Sequence, residues 1–100
     1  MIEILDGVTG FQWDKGNRNK NHLSHQVSNG EAEQMFFNLP PILWDDEKHS
    51  QGEQRHALLG TTDEGRWLTI IFTIRGTLIR VISARDMSRK ERGHYENQQQ

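Results

Sequence analysis

Two apolar runs, RWLTIIFTI and TLIRVISA, stand on either side of the dipeptide Arg75-Gly76. Both are rich in β-branched residues, and Gly76 can supply a positive φ, so together they predict a β-hairpin. A third run, QRHALLGTT, precedes them, and TDEG provides the turn between. Any fold for this chain must be built around these three strands. They carry an anomaly, because Arg75, Arg80 and Arg85 punctuate the hairpin at five-residue intervals. Only 33% of the residues are hydrophobic and mean hydropathy is −0.83. Core positions are therefore scarce, and a guanidinium placed among them is costly unless paired.

Upstream of the strands, MIEILDG and GFQWD are short β-like pieces separated by Gly7 and Gly10. The segment KGNRNKNHLSHQVSNG is rich in Asn, which favours caps and turns, yet its centre is read as a helix over Asn17–His25. Ser28 or Asn29 then caps a second helix, GEAEQMFFN, in which Ala32, Met35 and Phe36 recur at helical spacing. Leu39-Pro40-Pro41 stops it. The polar stretch WDDEKHSQGEQ reads as a long loop. After the hairpin, Ser88 with Glu91 three residues on forms a capping-box pattern that starts a short C-terminal helix. The order β, α, α, β, β, β, α predicts one α+β domain over residues 1–96, with 97–100 as a disordered Gln-rich tail. The sheet is expected to be antiparallel. Helices cover one face, and the other is left open for an arginine-rich site.

No apolar run approaches the roughly 18 residues of a membrane span, no signal peptide is recognisable, and there is no Cys. These features predict a cytoplasmic protein without a disulfide scaffold. The net charge of −2 hides an asymmetry. Residues 1–64 hold five Lys/Arg against eleven Asp/Glu, and residues 65–100 hold seven against three. A basic half of this kind suits a polyanion or an acidic partner, or is simply a solvated helix.

Three arginines within eleven residues, with Arg55 at the start of the neighbouring strand, suggest a phosphate-binding surface, since guanidinium offers two parallel hydrogen bonds to phosphate. The competing reading makes each arginine structural, at a sheet edge or paired with Glu53, Asp86 or Glu91. In a straight strand the odd spacing puts Arg75 and Arg85 on the face opposite Arg80. His22 and His25, three apart, share a helical side, while His49 lies in the loop and His56 on a strand. With no Cys and no His-Glu-x-x-His, no metal and no cofactor are expected. Histidine suits general acid–base chemistry better, because its charge changes near neutral pH. Trp13, Phe36, Phe37 and Trp67 read as core, and Trp44 as a loop anchor or a partner contact.

GFQWD followed by KNHLSHQV, then DEKHSQGEQRHALLG, then IRVISARDMSRKERGHYE, resembles the BrnT toxins of bacterial type II toxin–antitoxin systems. The resemblance runs from about Phe11 to Glu96. Its most specific pieces are Ile79–Arg85 with Glu91 and Tyr95, and His49-Ser50 with Glu53 and Arg55. It implies a fold similar to RelE-type endoribonucleases, with two N-terminal helices on an antiparallel sheet. It implies RNA cleavage that inhibits translation. It also implies a cognate antitoxin, usually of ribbon-helix-helix type, that neutralises the toxin in a hetero-oligomer and carries it to operator DNA. A basic residue often precedes the family's N-terminal His and a Gly often follows it; here these are Ser24 and Gln26.

Metal-free RNA cleavage needs a base for the 2′-hydroxyl, positive charge for the phosphorane and a proton for the leaving 5′-oxygen. On the resemblance, Arg55, Arg80 and Arg85 stabilise the scissile phosphate and Arg75 positions the RNA backbone. His25 or Glu53 is the acid–base group, with Lys20 in reserve. Two other functions compete: a non-catalytic nucleic-acid-binding module, and an inactive antitoxin-binding co-repressor.

Overall fold

The computed structural model describes residues 5–38, 42–45 and 53–98. The His49-Ser50 pair lies outside them. The elements in chain order are β1 (Gly10–Phe11), α1 (Lys20–His25), α2 (Asn29–Phe37), β2 (Ile42–Asp45), β3 (His56–Thr61), β4 (Trp67–Arg75), β5 (Leu78–Asp86) and α3 (Arg89–Gln98). The fold is α+β, with three helices and one sheet in the order β1-β5-β4-β3-β2.

The sheet is mixed, which corrects the antiparallel expectation. β2 to β5 pair antiparallel, but β1 lies parallel to β5, Gly10 opposite Leu78. β2 is an addition, since Trp44 and Asp45 belong to a strand rather than to the start of a loop. At the other end α3 takes in Asn97 and Gln98, two residues past the expected domain boundary.

The first helix begins at Lys20, three residues later than the sequence suggests. Asn19 holds a φ of +64°, and the Asn17 side chain is occupied elsewhere. Its Oδ1 accepts from the Asp14 N–H at 2.8 Å, and its Nδ2 donates to the carbonyls of Gln12 at 2.9 Å and Val81 at 3.1 Å. Asn17 is thereby buried against the edge of β5. α2 starts where expected: Glu31 N–H donates to Ser28 Oγ and Ser28 N–H donates to the Glu31 carboxylate, a closed capping box.

α2 buries Ala32 and Met35 against one face of the sheet, where Leu58, Leu68, Ile70, Phe72, Ile79, Val81 and Ala84 form the main core with Val27. Burying a side chain of this size stabilises by roughly 1.5–3 kcal/mol. Gly60 allows the close approach, since a Cβ there would stand 3.1 Å from Met35 Cε. The other face is not open, as the sequence reading supposed. α3 packs on part of it through Tyr95, which joins Leu59, Met87 and Trp67 in a second core. Tyr95 and Trp67 meet edge to face, with ring centroids 4.9 Å apart.

Within β5 the inward residues run Ile79, Val81, then Ala84. The register explains the break in alternation: Phe72 pairs with Val81, but Ile71 pairs with Ser83, so Ile82 is an extra residue. This bulge returns Arg80 and Arg85 to the same face, opposite Thr73 and Thr69 respectively. Arg75, two residues beyond Thr73, shares it. Simple alternation along β5 would separate Arg80 from Arg85, and the inserted residue reunites them, while the hairpin register places Arg75 on their face.

Candidate active site

All three hairpin arginines lie on the α3 face of the sheet, and each is held by a carboxylate. Arg75 donates to Glu53 from Nε at 2.8 Å and from Nη2 at 3.1 Å. Arg85 donates to Glu91 at 2.7 and 3.0 Å. Arg80 donates to Asp14 at 2.7 and 3.1 Å. The first two partners were foreseen as the structural alternative. Asp14 was not, because it lies 66 residues away in sequence. A guanidinium carries five N–H donors, and each bidentate pair engages two of them, so pairing orients these groups without exhausting them.

At the hairpin end, Arg55, Arg75, Arg80, Glu53 and Asp14 form one electrostatic group. The Arg75 hydrogen bonds hold the Glu53 carboxyl below its ordinary range, with Arg55 and Arg80 adding to the effect. Asp14 is lowered by its hydrogen bond from Arg80, helped by the Gly16 N–H and the Arg75 charge. Glu53 is therefore ionised at neutral pH and can accept a proton but has none to supply. Gly16 leaves room for the Arg80–Asp14 pair, because a Cβ there would stand 2.8 Å from Arg80 Nη2 and would displace the guanidinium.

At the far end of β5, the Arg85 and Asp86 side of the sheet meets α1. An open cleft of about 430 Å³ is lined by Leu23, Ser24, His25, Gln26, Arg85 and Asp86. His25 is exposed on this wall. Burial alone pushes the Glu91 carboxyl up. The hydrogen bonds from Arg85, the Ser88 N–H and the Thr69 hydroxyl outweigh that and hold it at about 2. Arg85 is thus fixed to β4 and to the first turn of α3 through one carboxylate. Between the two groups, Lys20 Nζ donates to the carbonyl of the bulge residue Ile82 at 3.0 Å.

The predicted residues thus fall into two places. His25 and Arg85 come together in the cleft, and Glu53, Arg55, Arg75 and Arg80 gather at the hairpin end. Sequence reasoning missed Arg66 and the pairing of Asp14, and it offered Asp86 as a partner for a hairpin arginine, whereas Asp86 meets Arg66. The Arg66 side chain reaches Gln26, Glu31 and Asp86, a convergence without a sequence signature. His56, by contrast, is buried beside Phe72, ring centroids 5.4 Å apart. Among the described residues no three His, Cys, Asp or Glu groups come together as metal ligands, and no helix is long and apolar enough to cross a membrane.

The mixed sheet, the capped helices and a cleft with His25 and Arg85 in its lining define an α+β protein. A family model described as ribonuclease toxin, BrnT, of type II toxin–antitoxin system matches residues 13–91. The match spans most of the sequence, and the chain belongs to that family. Membership implies an RNA substrate and a protein antitoxin as partner. A comparison with curated proteins finds no match.

Proposed function

We propose that this chain is a RelE-like endoribonuclease that cleaves RNA without a metal ion and thereby inhibits translation in the cytoplasm. A ribbon-helix-helix antitoxin binds it as a hetero-oligomer and tethers it to operator DNA. The observation that carries the reading is the meeting of His25 and Arg85 across one cleft, in a chain that belongs to a ribonuclease toxin family. An imidazole can take the 2′-hydroxyl proton as that oxygen attacks phosphorus, and Arg85 faces the charge that develops on the phosphorane. The P–O5′ bond then breaks, the leaving 5′-oxygen takes a proton from solvent, and the products are a 2′,3′-cyclic phosphate and a 5′-hydroxyl. Arg55, Arg75 and Arg80, with Lys20, hold the flanking backbone. Glu53 orients Arg75, and its lowered pKa suits that role better than proton donation.

The test is incubation of the purified chain with single-stranded RNA in excess EDTA, followed by analysis of the new ends. Fragments ending in 2′,3′-cyclic phosphate are expected. Intact RNA in EDTA with cleavage restored by a divalent cation would refute the metal-free mechanism. The carboxylate on each hairpin arginine supports a second reading, a co-repressor that binds antitoxin without cutting. It predicts intact RNA in either buffer.

A further inference from the structure

Arg66 sits just before β4, outside the cleft, yet its guanidinium joins the two sides that line it, the end of α1 and the end of β5, to α2. Nη1 donates to the Gln26 carbonyl at 2.8 Å and to Glu31 Oε2 at 3.1 Å. Nη2 reaches Asp86 Oδ1 at 3.4 Å. The Gln26 carbonyl belongs to the residue directly after His25, at the end of α1. Asp86 directly follows Arg85, at the end of β5. Glu31 is the capping-box carboxylate of α2, itself fixed by the Ser28 N–H at 3.1 Å.

Each contact is replaceable as a source of stability, but their combination is not. α1 is only six residues long, and Gln26, which ends it, holds a φ of +57°. Such a short helix needs an external hold to keep its last turn in one place. Arg66 supplies that hold to the backbone rather than to a side chain, and ties it to the neighbour of the residue across the cleft. A planar fork can bind a carbonyl and two carboxylates in fixed directions, which an ammonium on a flexible stem cannot.

We infer that Arg66 is a positioning residue that sets the separation of the His25 and Arg85 walls. The inference rests on the proposed reading of the cleft as the site of cleavage. Arg66 itself touches no substrate. Misplacement of a reacting group by about 1 Å can cost roughly a hundredfold in rate, so its loss should appear in kcat rather than KM.

The experiment compares the full chain with Arg66→Ala, Arg66→Gln and Arg66→Lys. It measures cleavage of a short oligoribonucleotide and the NMR signals of the His25 ring and the Arg85 Nε–H. For Arg66→Ala, or for Arg66→Gln if the first does not fold, both signals should shift. The His56 ring signal should stay in place, kcat should fall about 10–100-fold, and KM should change little. Arg66→Lys should recover only part of the loss. Wild-type positions for the His25 and Arg85 signals, or a wild-type kcat in a folded Ala or Gln variant, would overturn the inference. If the wild-type chain leaves RNA intact, the ribonuclease reading fails instead, and the two NMR signals still decide what Arg66 holds.

Discussion

Gln26 holds a φ of +57° where α1 ends, a conformation that costs a residue with a Cβ about 1 kcal/mol. Gly adopts this conformation without that cost. Gln26→Gly should therefore stabilise the chain by about 0.5–1 kcal/mol in urea unfolding, while leaving the Arg66 bond to the backbone carbonyl intact. Glu91 gives a pH-dependent counterpart. Its folded pKa of about 2 lies below the unfolded value near 4.5. The unfolded chain thus binds more protons between those values, so the stabilisation is complete above pH 4.5 and fades as pH falls toward 2. In acid titrations followed by circular dichroism, Glu91→Gln should be less stable than wild type by about 1 kcal/mol at pH 6, after allowing for solvent screening. The difference should shrink to nothing near pH 2. At this scale the sequence singled out the three hairpin arginines and offered Glu53 and Glu91 as partners, which Arg75 and Arg85 take. It could not reveal Asp14, because that pair closes across 66 residues and depends on Gly16 leaving room for the guanidinium.

The Ser88–Glu91 capping box was legible because capping is local, and Ser28, one of two candidate caps for α2, closes a second box with Glu31. Ser28→Ala should cost about 1 kcal/mol in thermal or denaturant unfolding, since it leaves an amide of the first turn of α2 without its acceptor. The three long strands were legible for the same reason, in their apolar runs. Two features of the sheet were not. β1 falls within GFQWD, which reads as β-like, but its parallel pairing with β5 has no signature in that piece. The bulge at Ile82 is a mismatch between two strands, and TLIRVISA alone carries no sign of it. That bulge changes the functional reading, because it brings Arg80 and Arg85 to one face where simple alternation separates them. Tyr95 shows the converse. Sequence placed it in a lightly amphipathic helix, and packing made it the anchor that covers part of the face expected to be open.

Taken whole, the molecule uses one face of its sheet for α2 and the main core, and the other for α3 and the arginines. The acidic first two-thirds and the basic remainder are not segregated in space: Asp14, Glu31 and Glu53 from the former pair with Arg80, Arg66 and Arg75 from the latter. Charge asymmetry along the chain therefore reports on internal pairing as well as on affinity for a polyanion. The family was legible in the motifs because their residues do structural work. Arg85 and Glu91 bind each other, Tyr95 accepts or donates at 2.7 Å to Thr61, and Lys20 ties α1 to β5. His25 is different, being an exposed side chain on the cleft wall, where a purely structural role gains little. Replacing it separates chemistry from folding more cleanly than any change to the paired arginines. The decisive measurement is induction of wild type and His25→Ala in bacteria without the antitoxin, with growth and total RNA followed together. The account predicts arrest with RNA fragmentation for wild type, and continued growth with intact RNA for a His25→Ala chain of unchanged melting temperature. Equal arrest by both chains, or arrest by neither, would contradict it.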